Sequence, residues 1–175
     1  MDPFLPYLAG FFDGEGSIGI YRNGNPHGGR TLRVQLTQNA SAASTLLLKE
    51  CQTRWGGSLC EMNRNHKRTA WNWQASATSG VKALSDLRPW LRLKAAEADI
   101  ALEWWGQRPL PRRGSAGRYL PFSAAEHDFD VAAEGRLKAA KAGASATRVI
   151  GLSSTRSGAD QLQLGGSNEV DACGE

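Results

Sequence analysis

The sequence predicts an α+β domain in which a four-stranded antiparallel β-saddle is covered on one face by helices. Three observations predict it. Apolar and polar residues alternate over 17–22, 30–38 and 69–76, the period of a strand with one buried face. The strands come in pairs joined by turn chemistry, Asn23 to Gly29 (NGNPHGG) and Asn65-His66-Lys67-Arg68, so each pair reads as a hairpin. A helical segment stopped by glycine precedes each hairpin, and the order is helix, hairpin, helix, hairpin.

The first helix runs from Phe4 and ends near Asp13, with Pro3 and Pro6 in the tolerant first turn and Gly14 and Gly16 where a helix stops. Ser17 to Arg22 follows, with Ile18 and Ile20 on one face. In Arg30 to Gln38, Leu32, Val34 and Leu36 point one way and Arg33, Gln35 and Thr37 the other. Ser41 or Ser44 can cap a second helix that reaches about Arg54, buries Leu46, Leu47 and Leu48, and ends at Gly56-Gly57. In the second hairpin, Ser58 to Arg64 and Thr69 to Ser76, Trp71 and Trp73 alternate with Asn72 and Gln74, while Ser58-Leu59-Cys60-Glu61-Met62 leaves the face of the third strand open. Ser79 to Leu87 is a third helix, broken by Arg88-Pro89. Trp90 to Trp105 is a fourth, with apolar spacing at 91, 95, 98, 102 and 105. Ser123 to Ala142 is a fifth, with Ser123 and Glu126 in capping-box positions.

Composition shifts near Gly106, so residues 1–106 are expected to form the core domain, 107–143 a loop and C-terminal helical extension, and 144–175 a flexible, disordered tail rich in Ser, Gly, Thr and Gln. At 175 residues and 41% hydrophobic content, one domain with its own core is expected. No apolar run approaches a membrane span and the N-terminus lacks a basic leader, so a soluble, intracellular location with no membrane partner is expected, in cytoplasm, nucleoid or organelle matrix. Cys51, Cys60 and Cys173 form no C-x-x-C pair, which argues against a disulfide scaffold or a zinc knuckle.

Net charge is only +4, but its placement is informative. In the hairpin windows 17–38 and 58–76, six bases (Arg22, Arg30, Arg33, Arg64, Lys67, Arg68) face one acid, Glu61. A sheet with one apolar face and one bearing Arg, Gln, Asn, Thr and Tyr suits a nucleic acid, because Arg and Gln or Asn match base edges and cations neutralise phosphates.

The densest segment is Leu8-Ala9-Gly10-Phe11-Phe12-Asp13-Gly14-Glu15-Gly16-Ser17. Gly10 and Gly14 are four apart on one helix face, where two such helices can approach backbone to backbone. Glu15 follows at the electronegative end of the helix dipole, so a cation is expected nearby.

This segment resembles the signature of the LAGLIDADG homing endonucleases. The resemblance extends in register to Val34-Gln35-Leu36-Thr37-Gln38, to Arg88-Pro89-Trp90-Leu91-Arg92-Leu93-Lys94 and to the αββαββα order, covering about residues 4 to 106. It implies a site-specific, intron-encoded type of double-strand DNA endonuclease that hydrolyses phosphodiester bonds with Mg²⁺ or Mn²⁺. By position, Glu15 resembles the metal ligand, Gln38 the residue that orders water, and Lys94 the one that stabilises charge. A single signature helix implies a homodimer through Leu8, Ala9, Gly10, Phe12, Asp13 and Gly14, with a pseudo-palindromic target. DNA contacts are expected from Tyr21, Arg22, Arg30, Arg33, Gln35, Arg64, Lys67, Arg68, Asn72 and Gln74.

Two positions depart from the family pattern. Ala40 to Ser44 lacks the basic residue some single-motif members carry, leaving Lys49 or no residue in that role, and Glu15 stands for Asp, one methylene longer. The alternative on the same scaffold is an intron RNA maturase or a non-cleaving DNA-binding regulator.

Overall fold

The structure, a computed structural model, describes residues 3–22, 29–64, 68–110, 112–115 and 119–156. The elements are α1 (Phe4–Glu15), β1 (Gly16–Arg22), β2 (Arg30–Asn39), α2 (Ala42–Trp55), β3 (Ser58–Arg64), β4 (Arg68–Ser76), α3 (Ala77–Leu87), a 3-10 turn (Arg88–Trp90), α4 (Ala95–Gln107) and α5 (Ala124–Arg156). The chain divides into two units, Met1–Ala144 and Ser145–Glu175. In the second, residues 145–156 are helical.

The sheet is open and antiparallel, in the order β1-β2-β4-β3. One face carries Ile18, Ile20, Leu32, Val34, Leu36, Trp73 and Ala75, all buried in one core with Leu8, Phe12, Leu48, Leu84 and Leu87 from the helices. The fold is therefore α+β, a four-stranded antiparallel sheet with helices on one side. Three indoles in or beside this core have acceptors, as buried N–H groups require. Trp55 Nε1 donates to Asp86 at 2.8 Å, Trp73 Nε1 to the Gly56 carbonyl at 3.0 Å, and Trp104 Nε1 to Asp130 at 2.9 Å.

Local signals explain several boundaries. Ser41 caps α2: its hydroxyl accepts the Ser44 N–H at 3.1 Å, and Ser44 Oγ accepts the Ser41 N–H at 3.0 Å. The turn into β3 uses Gly56 and Gly57 at φ 77° and 91°, where a side chain would be strained.

Leu46, expected in the buried stripe of α2, is exposed, and three boundaries also change. First, α1 continues to Glu15 instead of ending near Asp13. Second, Trp90 to Trp105 is not one helix: the chain leaves a 3-10 turn at Trp90, extends at Leu91 and restarts as α4 at Ala95. The reason is tertiary, because the Asp13 carboxylate captures the N–H groups of Arg92, Leu93 and Lys94. Third, α5 continues past Ala142 to Arg156. Residues 145–156 contain no proline, and the isolated glycines 143 and 151 weaken a helix by only about 1 kcal/mol each. The rest of the expected tail, 157–175, lies outside the described residues.

Register also decides what the sequence left open. Leu59 pairs with buried Trp73 and Glu61 with Trp71, so both lie on the helix side. Ser58 and Cys60 pair with Gln74 and Asn72 and lie on the polar side.

Candidate active site and nucleic-acid face

The end of α1 and the start of α4 are built as one unit. Asp13 is buried at 7% exposure. Its Oδ2 accepts the backbone N–H groups of Arg92 at 2.8 Å and Leu93 at 3.1 Å, and its Oδ1 accepts that of Lys94 at 2.9 Å. A carboxylate at the positive end of a helix is favourable, and here it satisfies the N–H groups of the segment leading into α4, up to its N-cap Lys94. Lys94 Nζ in turn donates to the Asp13 backbone carbonyl at 3.0 Å, placing an ammonium against the last turn of α1. This is a cation at the electronegative end of that helix, two residues from Glu15.

Glu15 is exposed, and its carboxylate has no hydrogen-bond or ion-pair partner among the described residues. Gly16, the next residue, pairs with Leu36. Gln38 lies two residues beyond Leu36, about 7 Å along the strand, and shares its face. Glu15, Gln38 and Lys94 therefore all belong to the end of the sheet where α1 meets β1.

Close by, Glu97 is buried in the first turn of α4. Burial pushes its carboxyl above the usual carboxylate range; Lys94 and Lys141 pull it back, and Asp13 raises it. Among the described residues, no three or more His, Cys, Asp or Glu side chains cluster as a metal cage. An ion at Glu15 would have to be completed by water and by oxygens from outside the chain, which suits a hard divalent cation that arrives with phosphate.

The polar sheet face carries Tyr21, Thr31, Arg33, Gln35, Thr37, Asn72, Gln74 and Ser76. It is organised by side-chain bonds, two across strands and one, Gln74 to Ser76, along β4. Gln35 Nε2 donates to Gln74 Oε1 at 2.8 Å, Gln74 Nε2 donates to Ser76 Oγ at 3.4 Å, and Thr37 Oγ1 donates to Asn72 Oδ1 at 2.9 Å. The Arg33 guanidinium lies over the Tyr21 ring, 4.7 Å from its centroid. Its buried Nε has no hydrogen-bond partner.

Several expected site residues are placed differently. Arg22 and Arg30 share the parity of Ile20 and Leu32, on the helix side of the ribbon. Arg30 is also engaged, donating through Nε to Glu134 at 3.0 Å, with its NH2 2.9 Å from the same carboxylate. As placed, it is a structural ion pair and not a free cation on the polar face. Arg64 and Arg68 pair with each other at the end of the β3–β4 ladder, and Lys67 lies outside the described residues. Of the six residues expected at an interface between two α1 helices, Leu8, Ala9, Phe12 and Asp13 are buried within the chain itself and have no surface to offer. Gly10 and Gly14 are exposed with nothing within 4 Å of an added Cβ, and Tyr7, one turn earlier on the same face, is 63% exposed. Tyr7 was missed by sequence reasoning, although its helical spacing to Gly10 and Gly14 signals it.

No family model and no curated protein matches the chain. Similar solved structures include the homing endonuclease I-CvuI in complex with its target (22% identity over 58% of this chain and 65% of that one, TM-score 0.48). Others are LAGLIDADG homing endonuclease I-GzeII in complex with a DNA target (18%, 61% and 35%, TM-score 0.45) and homing endonuclease I-TnaI (14%, 60% and 73%, TM-score 0.45). The chain spans just under two thirds of the I-CvuI chain and about a third of I-GzeII. Each of these three solved structures is named a homing endonuclease, and I-GzeII is named one of the LAGLIDADG type.

Proposed function

We propose that this chain is a site-specific, metal-dependent double-strand DNA endonuclease that works as a homodimer on a pseudo-palindromic target. The observation that supports this reading is the exposed Glu15 carboxylate at the α1 terminus, without a partner among the described residues and two residues along from the carbonyl that holds the Lys94 ammonium.

Roles follow from chemistry. Duplex DNA lies on the polar sheet face, where Arg33, Gln35, Asn72 and Gln74 meet base edges in a major groove. Glu15 offers one hard carboxylate oxygen and would hold a divalent cation, Mg²⁺ or Mn²⁺, which when bound would lower the pKa of water and neutralise phosphate charge. Gln38 offers an amide that can both donate to and accept from a water, which fixes the direction of attack. The Lys94 ammonium, held in place by the Asp13 carbonyl, supplies positive charge where the phosphorane develops negative charge.

One chain offers one such carboxylate, so cutting two strands calls for two copies. The exposed face of Tyr7, Gly10 and Gly14 is the surface on which α1 can approach a second α1 closely.

The test is Glu15→Gln against wild type on a cognate duplex. The reading expects cleavage to vanish while duplex affinity is retained; equal cutting by both proteins would reject it. Binding without cutting by wild type at any divalent cation would favour the non-cleaving regulator.

A further inference from the structure

The C-terminal helix grips the start of β2 through Asp130 and Glu134, and Phe122, just before that helix, packs beside them. Asp130, 2% exposed, accepts the Arg30 backbone N–H at 3.2 Å through Oδ2 and Trp104 Nε1 at 2.9 Å through Oδ1. Glu134, one turn on, holds the Arg30 guanidinium and is itself bonded to Lys138 Nζ at 2.8 Å. Gly29 is buried against the Phe122 ring, which occupies the space a Cβ would need. Around these points α5 is fixed to the rest of its unit: Ala133 and Leu137 are buried in the core, and Arg136 NH2 meets Glu103 at 2.7 Å.

These contacts converge on the first residue of β2. Strand β2 pairs with β1 from Arg30 opposite Arg22 to Leu36 opposite Gly16, so fixing Arg30 fixes the outer end of the β1–β2 ribbon. That ribbon carries Tyr21, Arg33 and Gln35 on its polar face. The outer end of this ribbon, Tyr21–Arg22 against Arg30–Thr31, lies beyond the β2–β4 ladder with no third strand beside it among the described residues, and such an end can twist and fray. The buried carboxylate of Asp130 also ties the ribbon to α4 through Trp104, the helix whose first turn is capped by Asp13.

We propose that Asp130 and Glu134 are positioning residues for DNA recognition: α5 clamps Arg30 and so sets the height and twist at which the β1–β2 ribbon presents Tyr21, Arg33 and Gln35. This rests on the DNA reading above, but the clamp can be tested without DNA. Arg30 then contributes to binding through Glu134 and not through a phosphate.

The experiment uses the full chain in two arms. In the first, hydrogen–deuterium exchange compares wild type with Glu134→Gln and Asp130→Asn in free protein. The clamp expects faster exchange in 16–22 and 30–36 with β3 and β4 unchanged; no change, or a uniform rise across all four strands, overturns it. In the second, Arg30→Glu, Glu134→Arg and the double swap are compared for duplex affinity. Each single change is expected to weaken binding about tenfold, and the swap to restore it to within about threefold, as paired charges in contact couple. A swap as weak as Arg30→Glu alone overturns the clamp and places Arg30 on the DNA. If wild type binds no duplex, the endonuclease reading fails while the exchange pattern still decides the clamp.

Discussion

Asp13 and Lys94 are bonded in both directions. Asp13 Oδ1 accepts the Lys94 backbone N–H at 2.9 Å, and the Asp13 carbonyl accepts Lys94 Nζ at 3.0 Å. Two segments about eighty residues apart are thereby locked at the point where the chemistry is assigned. The two acids of the signature segment consequently divide the work. Asp13 is turned inward and accepts three backbone N–H groups, while Glu15 is exposed and has no donor among the described residues.

Asp13→Ala should therefore be a stability mutation. It orphans the N–H groups of Arg92, Leu93 and Lys94 in a partly buried site, and a loss of about 2–4 kcal/mol is expected. Urea denaturation reads it as a lower midpoint at unchanged slope. Glu15→Gln, exposed and unpartnered, should move the same midpoint by less than about 0.5 kcal/mol. A midpoint loss for Glu15→Gln as large as that for Asp13→Ala would show that the inward and outward assignments are wrong.

Gly10→Leu separates folding from association. The space beyond Gly10 is open, so the subunit should fold, and exchanging glycine for leucine in a helix should stabilise it by about 0.5–1 kcal/mol. Two α1 helices could then no longer approach closely. Sedimentation equilibrium should show wild type at twice the chain mass and Gly10→Leu at the chain mass, with duplex cleavage lost. A dimeric, active Gly10→Leu protein would remove α1 from the interface.

Glu97 predicts a pH dependence of stability. Its carboxyl is raised in the folded protein chiefly by burial, so the folded state holds this proton more tightly than the unfolded chain. Stability from this group is then full below the unfolded carboxylate value and falls as pH rises through the raised folded value. Glu97→Gln removes that penalty, and its melting temperature should exceed that of wild type at pH 7 and match it near pH 4. An advantage for Gln that is larger at pH 4 would mean that Lys94 and Lys141 outweigh burial.

What could be read from the chain follows the range of each interaction. Strand parity is local, so Leu32, Val34 and Leu36 against Arg33, Gln35 and Thr37 separate the two faces without any coordinates. The same parity, carried two residues back, puts Arg30 on the Leu32 side; counting bases by window hid it. The mixed run Ser58 to Met62 has no clean alternation and needed its partner Trp73 to orient it. Apolar spacing through Leu91 and Ala95 imitates one helix, because the carboxylate that starts α4 at Ala95 comes from Asp13. The Arg30 to Glu134 pair joins residues 104 apart and leaves no local trace.

Glu15 is the centre of the account, and a cleavage selection on a randomised duplex library tests it most directly. With Mg²⁺, wild type should enrich cut molecules that share one pseudo-palindromic site. Glu15→Gln should bind that site and leave it intact, and EDTA should make wild type behave like the variant. Enrichment of the same cut site by Glu15→Gln, or by wild type in EDTA, would contradict the assignment of metal-dependent cleavage to this carboxylate.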